Sequence, residues 1–155
     1  VGEDRDSENN EDDNDDDGDG VDDKAFKNIL SELSKTYDDI ILVFGCGGDR
    51  DKSKRPKMMK VAQNFANKVI FTSDNNRFEA FQSICQDVLD GNNNYKTEII
   101  EDRQEAIKSA LKHLNEKNIL VILGKGHETF MDVQGKKVPF NDKSCVLKIL
   151  SNETN

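Results

Sequence analysis

The chain is 155 residues long, the size of one ordinary domain. It carries 31 acidic against 22 basic side chains, yet residues 1–23 alone hold 13 of the acids and a single Arg, so the remainder is mildly basic. No stretch approaches the ~20 apolar residues of a membrane span, the first residues lack the basic and apolar regions of a secretory signal, and neither a membrane nor nucleic acid is expected as a partner.

Residues 1–20 are Asp, Asn, Glu and Gly with almost no apolar side chains. Such a segment cannot bury enough surface to offset chain entropy, and disorder is expected there. Ala25, Phe26, Ile29, Leu30 and Leu33 then recur at helical spacing, with Asp22 or Asp23 placed to cap the helix. Ile40–Phe44 is a continuous apolar run that breaks at Gly45, which reads as a strand buried on both faces.

A second helix follows with Pro56 in its first turn and Met58, Ala62, Phe65 and Ala66 on its inner stripe. Residues 68–72 form the next strand, ending in the polar run 73–77. A third helix is expected with Phe78, Phe81, Ile84, Cys85, Val88 and Leu89 on one side and Gly91 as its stop, followed by a loop at Asn92–Asn94. Residues 97–100 form a short strand. Asp102 and Glu105 have capping-box spacing before a helix that buries Ala106, Ile107, Ala110, Leu111 and Leu114, with His113 as a surface histidine near its end.

Ile119–Leu123 is again fully apolar. Residues 130–133 and 137–140, joined across Gln134-Gly135, read as a hairpin, and a last helix carries Cys145, Val146, Ile149 and Leu150. The order αβαβαβαβββα predicts an α/β fold: a Rossmann-like, doubly wound, mostly parallel sheet with helices on both faces. The hairpin is expected to add an antiparallel edge. The expected divisions are an acidic low-complexity segment over 1–20, one domain over 21–150 and a tail over 151–155. Cys46, Cys85 and Cys145 are odd in number and lack metal-ligand spacing, which reads as reduced thiols and no metal site. Cys46 lies in the glycine loop, where a buried filler is the expected role.

Three strands end in polar loops, at 45–55, 73–77 and 124–128. Parallel strands share a C-terminal edge, so the three can converge on one site. Arg50, Lys52, Lys54 and Arg55 put cations there, and an anion is expected. The familiar motifs fail. A P-loop needs Gly-Lys-Ser/Thr together, but Lys52-Ser53 follows Asp51. The dinucleotide fingerprint needs a third Gly where Arg50 stands, and His127-Glu128 has Met131 where a zinc helix needs its second His.

Together the loops Gly45-Cys-Gly-Gly-Asp-Arg-Asp-Lys-Ser-Lys-Arg-Pro56, Asp74-Asn-Asn-Arg77 and Gly124-Lys-Gly-His-Glu128 resemble the C-terminal domain of MurE-type Mur ligases, which add the third residue of the peptidoglycan stem. Glu101-Asp102-Arg103 and Val138-Pro139-Phe140-Asn141-Asp142 match in kind and order, and the resemblance covers about residues 21–150. It implies a cytoplasmic protein, or a plastid one if the source is a eukaryote, and a monomer is expected. In such ligases ATP and magnesium serve a central domain, where the D-glutamate carboxylate of a UDP-MurNAc-dipeptide is phosphorylated and then attacked by the incoming amine. Those sites lie outside this chain, so no catalytic residue is assigned here and the isolated chain is not expected to ligate.

The resemblance implies that Arg50, Asn75, Arg77, Gly124 and Glu128 hold meso-diaminopimelate. Arg77 and Arg50 can grip carboxylates bidentately, Glu128 can receive the distal ammonium, and Asn75 can both donate and accept. An arginine at 77 favours diaminopimelate over lysine, which has no distal carboxylate. Lys54 and Arg55 are expected to face ATP phosphate. The plainer alternatives are that Arg50 and Arg77 are surface ion-pair partners and that Glu128 pairs with Lys125 or caps its turn. Two departures stand out: Asn76 replaces the usual Pro, and the usual Tyr-Ala-His-Thr-Pro entry segment is missing before Ala25. They motivate a second reading, a MurE-like domain kept without catalysis as a scaffold or plastid assembly component. A third is an unrelated phosphate-binding module.

Overall fold

A computed structural model describes residues 23–92, 96–125 and 128–153. The acidic segment expected to be disordered, most of the Asn92–Asn94 loop and His127 lie outside the described residues. Helix α1 (Asp23–Ser34) leads to β1 (Ile40–Phe44), α2 (Lys54–Phe65), β2 (Lys68–Phe71) and α3 (Phe81–Leu89). Then come β3 (Thr97–Ile99), α4 (Arg103–Lys112), β4 (Ile119–Leu123), β5 (Phe130–Val133), β6 (Lys136–Pro139) and α5 (Asp142–Glu153).

The four strands β1 to β4 form one parallel sheet in the order β3-β2-β1-β4. All five residues of β1 are buried, as its unbroken apolar run requires of a central strand covered on both faces. Successive strand side chains point to opposite faces, and two cores result. Ile40, Leu42 and Phe44 pack with Phe26 and Leu30 of α1, Met59 and Ala62 of α2, and Phe81, Ile84 and Val88 of α3. Ile41 and Val43 pack with Ala106, Ile107 and Ala110 of α4 and Ile149 of α5. Phe26, Phe44, Phe71 and Phe81 form a continuous aromatic row with ring centroids 5.0, 5.1 and 5.9 Å apart.

Caps set several boundaries. Asp102 accepts from the Gln104 and Glu105 N–H groups and starts α4. Gly91, at φ +78°, ends the turn after α3, and the Asn92 amide donates back to Val88 O. At the other end the helix starts later than its apolar spacing suggests. Phe78 is 75% exposed and lies outside α3. Its N–H is taken by the Asp49 carboxylate, and neighbouring Glu79 is held by Arg55, so residues 78–80 serve the loop.

The hairpin also differs from expectation. It forms a separate two-stranded sheet and does not extend the parallel one. Its main chain is engaged elsewhere: Arg77 N donates to Asp132 O at 3.1 Å, Gln134 N to Arg77 O at 2.8 Å, and Asp132 N to the Asn75 side chain at 2.8 Å. β5 therefore lies across the loop that follows β2. Finally, α5 runs from Asp142 to Glu153.

Candidate functional site

The sheet reverses its strand order beside β1: the chain steps outward through β2 and β3, then returns to place β4 on β1's other side. Ligand crevices of open α/β sheets lie at such a point, beyond the strands' C-terminal ends. The loops after β1, β2 and β4 meet there. A Cβ on Gly45 would lie 2.4 Å from Thr72 O, and one on Gly48 would lie 1.8 Å from Asn76 O. The first loop therefore presses its bare backbone against the second, and Gly48 N donates to Asn75 O at 2.9 Å. Gly124 sits against both, because a Cβ there would meet the Asp74 carboxylate at 2.7 Å.

Asn75 joins the three loops. Its carbonyl faces the first loop. Its side-chain Oδ1 accepts from Lys125 Nζ at 3.1 Å and from Asp132 N, while its Nδ2 lies 3.4 Å from Glu128 Oε1. Arg77 adopts φ +55°, which turns it back toward the first loop, where Nη1 donates to Gly48 O at 2.9 Å. Arg50 is exposed on that loop, with its Cγ 3.5 Å from where a Gly47 Cβ would stand. Glu128 is held by Lys125 Nζ at 2.9 Å, the pairing that the plainer alternative anticipated. Asn141, just before α5, fixes the same turn, donating to Glu128 O at 2.9 Å while accepting from Ser144 N. Thus all five residues expected to hold an amino acid, Arg50, Asn75, Arg77, Gly124 and Glu128, lie on loops of one rim.

Arg55 is different. Lys54 is half-exposed, 3.9 Å from Asp23, but Arg55 is only 2% exposed. Its guanidinium donates to both oxygens of Glu79, at 2.7 and 2.8 Å, to Asp87 at 2.7 Å and to Gly47 O at 2.8 Å. The expectation that it faces phosphate is corrected on these grounds: its terminal nitrogens brace the glycine loop from beneath. The hydrogen bonds from Arg55 hold the Glu79 carboxyl down at about 2, against the opposing effect of burial. A carboxyl depressed on folding stabilises the fold above its unfolded value near 4.5, and that contribution is lost as pH falls toward 2. Denaturant midpoints measured from pH 6 to 2.5 should therefore decline less steeply in Glu79→Gln than in the wild type.

Sequence reasoning missed a second buried cation. Arg103 donates to both oxygens of Asp142 at 2.8 Å, to Ser73 O at 2.9 Å and to Leu123 O at 3.3 Å. It ties the carbonyl ends of β2 and β4 to the start of α5. Cys46 is buried against the core, and burial raises its thiol to about 12. At pH 8 iodoacetamide should label native Cys46 far more slowly than half-buried Cys145, and the two equally in guanidinium chloride, as quantified by peptide mass spectrometry.

With this geometry in view, comparison with known proteins gives a consistent result. The family model for the Mur ligase glutamate ligase domain matches residues 22–126. The chain belongs to the Mur ligase family. It is similar to the UDP-N-acetylmuramoyl-L-alanyl-D-glutamate–2,6-diaminopimelate ligase of Aquifex aeolicus, with 42% identity over 131 residues, 83% of this chain and 27% of the relative. The protein of that name from Rickettsia typhi is 47% identical over 109 residues, 70% of this chain and 22% of the relative. A solved structure of a ligase of that name superposes with a TM-score of 0.83 at 35% identity, covering 88% of this chain and 28% of that one. The chain thus spans about a quarter of the length of the relatives it matches. Among the described residues no helix is long and apolar enough to cross a membrane.

Proposed function

We propose that this chain is the part of a diaminopimelate-adding Mur ligase that receives the incoming amino acid. The observation that carries the reading is the placement of a guanidinium and a carboxylate on one rim with Asn75 between them. Asn75 O lies 3.4 Å from Arg77 Nη1, and Asn75 Nδ2 lies 3.4 Å from Glu128 Oε1. A molecule bearing a carboxylate and an ammonium at one end matches that pair. Arg77 would grip the distal carboxylate and Glu128 the distal ammonium, with Asn75 and Gly124 lining the floor and Arg50 available to a carboxylate from the first loop. Such charge pairs strengthen when water is excluded, which suits a pocket that closes against the rest of a longer enzyme. Lysine would leave Arg77 without its carboxylate, so meso-diaminopimelate is the better ligand.

In the full ligase ATP, with magnesium, activates the acceptor carboxylate of the UDP-MurNAc-dipeptide. This chain's share is to present the amine. Lys54 would face phosphate across the cleft. The setting would be the cytoplasm. The names of the relatives favour this reading over a scaffold role. Calorimetry of the full-length protein with meso-diaminopimelate tests it: saturable heat, with lysine much weaker, is expected. The absence of heat together with no ATP-coupled ligation would overturn it.

A further inference from the structure

The geometry points to Lys125 as a positioning residue that sets Glu128 and Asn75 for the ammonium of the incoming amino acid. The inference rests on the proposed function and assigns a role to a side chain that does not reach the pocket. The Lys125 side chain is 0% exposed, so it cannot touch a ligand. Its ammonium is held by three acceptors from two loops: Glu128 Oε1 at 2.9 Å, Asn75 Oδ1 at 3.1 Å and Asp74 Oδ1 at 3.5 Å. A lysine has three donors and no acceptor, so this set uses its full capacity.

Two consequences follow for the groups that do face the rim. The first is orientation. With Lys125 and the Asp132 N–H both on Asn75 Oδ1, the Asn75 amide has one sensible arrangement, with Nδ2 turned to Glu128. Both internal donors to Glu128 converge on Oε1, and among the described residues none is on Oε2. One carboxylate oxygen is anchored and the other is presented. The second is charge. Lys125 lies between two carboxylates, Asp74 and Glu128, so the trio carries one excess negative charge. A ligand ammonium on Glu128 brings the trio to neutrality.

The test separates an ammonium-specific role from a structural one. Calorimetry on the full-length protein would compare meso-diaminopimelate with 2-aminopimelate, which keeps both carboxylates and lacks the distal ammonium. Wild type should prefer diaminopimelate. Lys125→Met should lose at least tenfold of that preference while its affinity for 2-aminopimelate stays within about twofold, and it should add nothing to the preference already lost in Glu128→Gln. Should Lys125→Met fail to fold, Asp74→Asn/Lys125→Met removes the opposing charge with it and should show the same loss. Equal weakening toward both ligands, or an unchanged preference, overturns the role for Lys125 and leaves the proposed function standing. If wild type binds both ligands equally, the ammonium contact itself is overturned, and if it binds neither, the proposed function falls with it.

Discussion

Arg77→Lys should weaken binding of meso-diaminopimelate by roughly two orders of magnitude while leaving the much weaker binding of lysine nearly unchanged. Lysine at 77 keeps the charge but loses the planar fork, and a point charge on a flexible stem does not reproduce two parallel hydrogen bonds to a carboxylate. Losing one partner of a desolvated, hydrogen-bonded charge pair costs about 2–5 kcal/mol, and 3 kcal/mol is already more than a hundredfold. The side chain also holds Gly48 O at 2.9 Å, so its guanidinium is aimed before ligand arrives. Lysine as ligand has no distal carboxylate to lose. Calorimetric titration with both amino acids reads the difference directly. Equal losses for the two would mean that Arg77 shapes the loop and does not grip the ligand.

The second large effect concerns stability. Arg103→Met should destabilise the fold by about 3–5 kcal/mol, the usual consequence of stranding one member of a buried ion pair. Asp142 would be left without its partner in a nearly closed site, and Ser73 O and Leu123 O would lose their donor. Urea unfolding should show a large fall in midpoint with little change in slope. Arg103→Met/Asp142→Leu should recover a substantial part of the loss, because a matched apolar replacement avoids the unpaired charge. If both variants unfold at the wild-type midpoint, the pair has no part in stability.

What could be read without coordinates follows from how far each signal travels along the chain. Ile40–Phe44 and Ile119–Leu123 are local apolar runs and both are strands, but full burial follows only for the first, because β4 lies at the edge of the sheet and only its Val121 is buried. Asp102 caps α4 by accepting from an N–H two residues on, also a local matter. The convergence of the three loops was legible because parallel strands share an edge. The buried ion pairs were not. Arg55 and Glu79 are 24 residues apart, Arg103 and Asp142 are 39 apart, and only the folded sheet brings them together.

Lys52, Lys54 and Arg55 look alike as a run of cations, yet where the chain enters α2 it turns Arg55 inward and leaves Lys52 and Lys54 outside. Phe78 shows the same limit from the apolar side. Its spacing fits the helix that follows, but Asp49 and Arg55 claim the residues around it. Lys125 was legible as a partner of Glu128, three residues on. That it also reaches Asp74 and Asn75 was not.

The contact between Gly48 and the carbonyl of Asn76 has a bearing on how such a protein can change over time. Where two main chains touch with no side chain interposed, the calibre of the opening is set by the thickness of the polypeptide itself. Drift at the surrounding positions can swap one side chain for another without resizing the gap. Glycines at 45 and 48 are positions where such a lineage has no latitude.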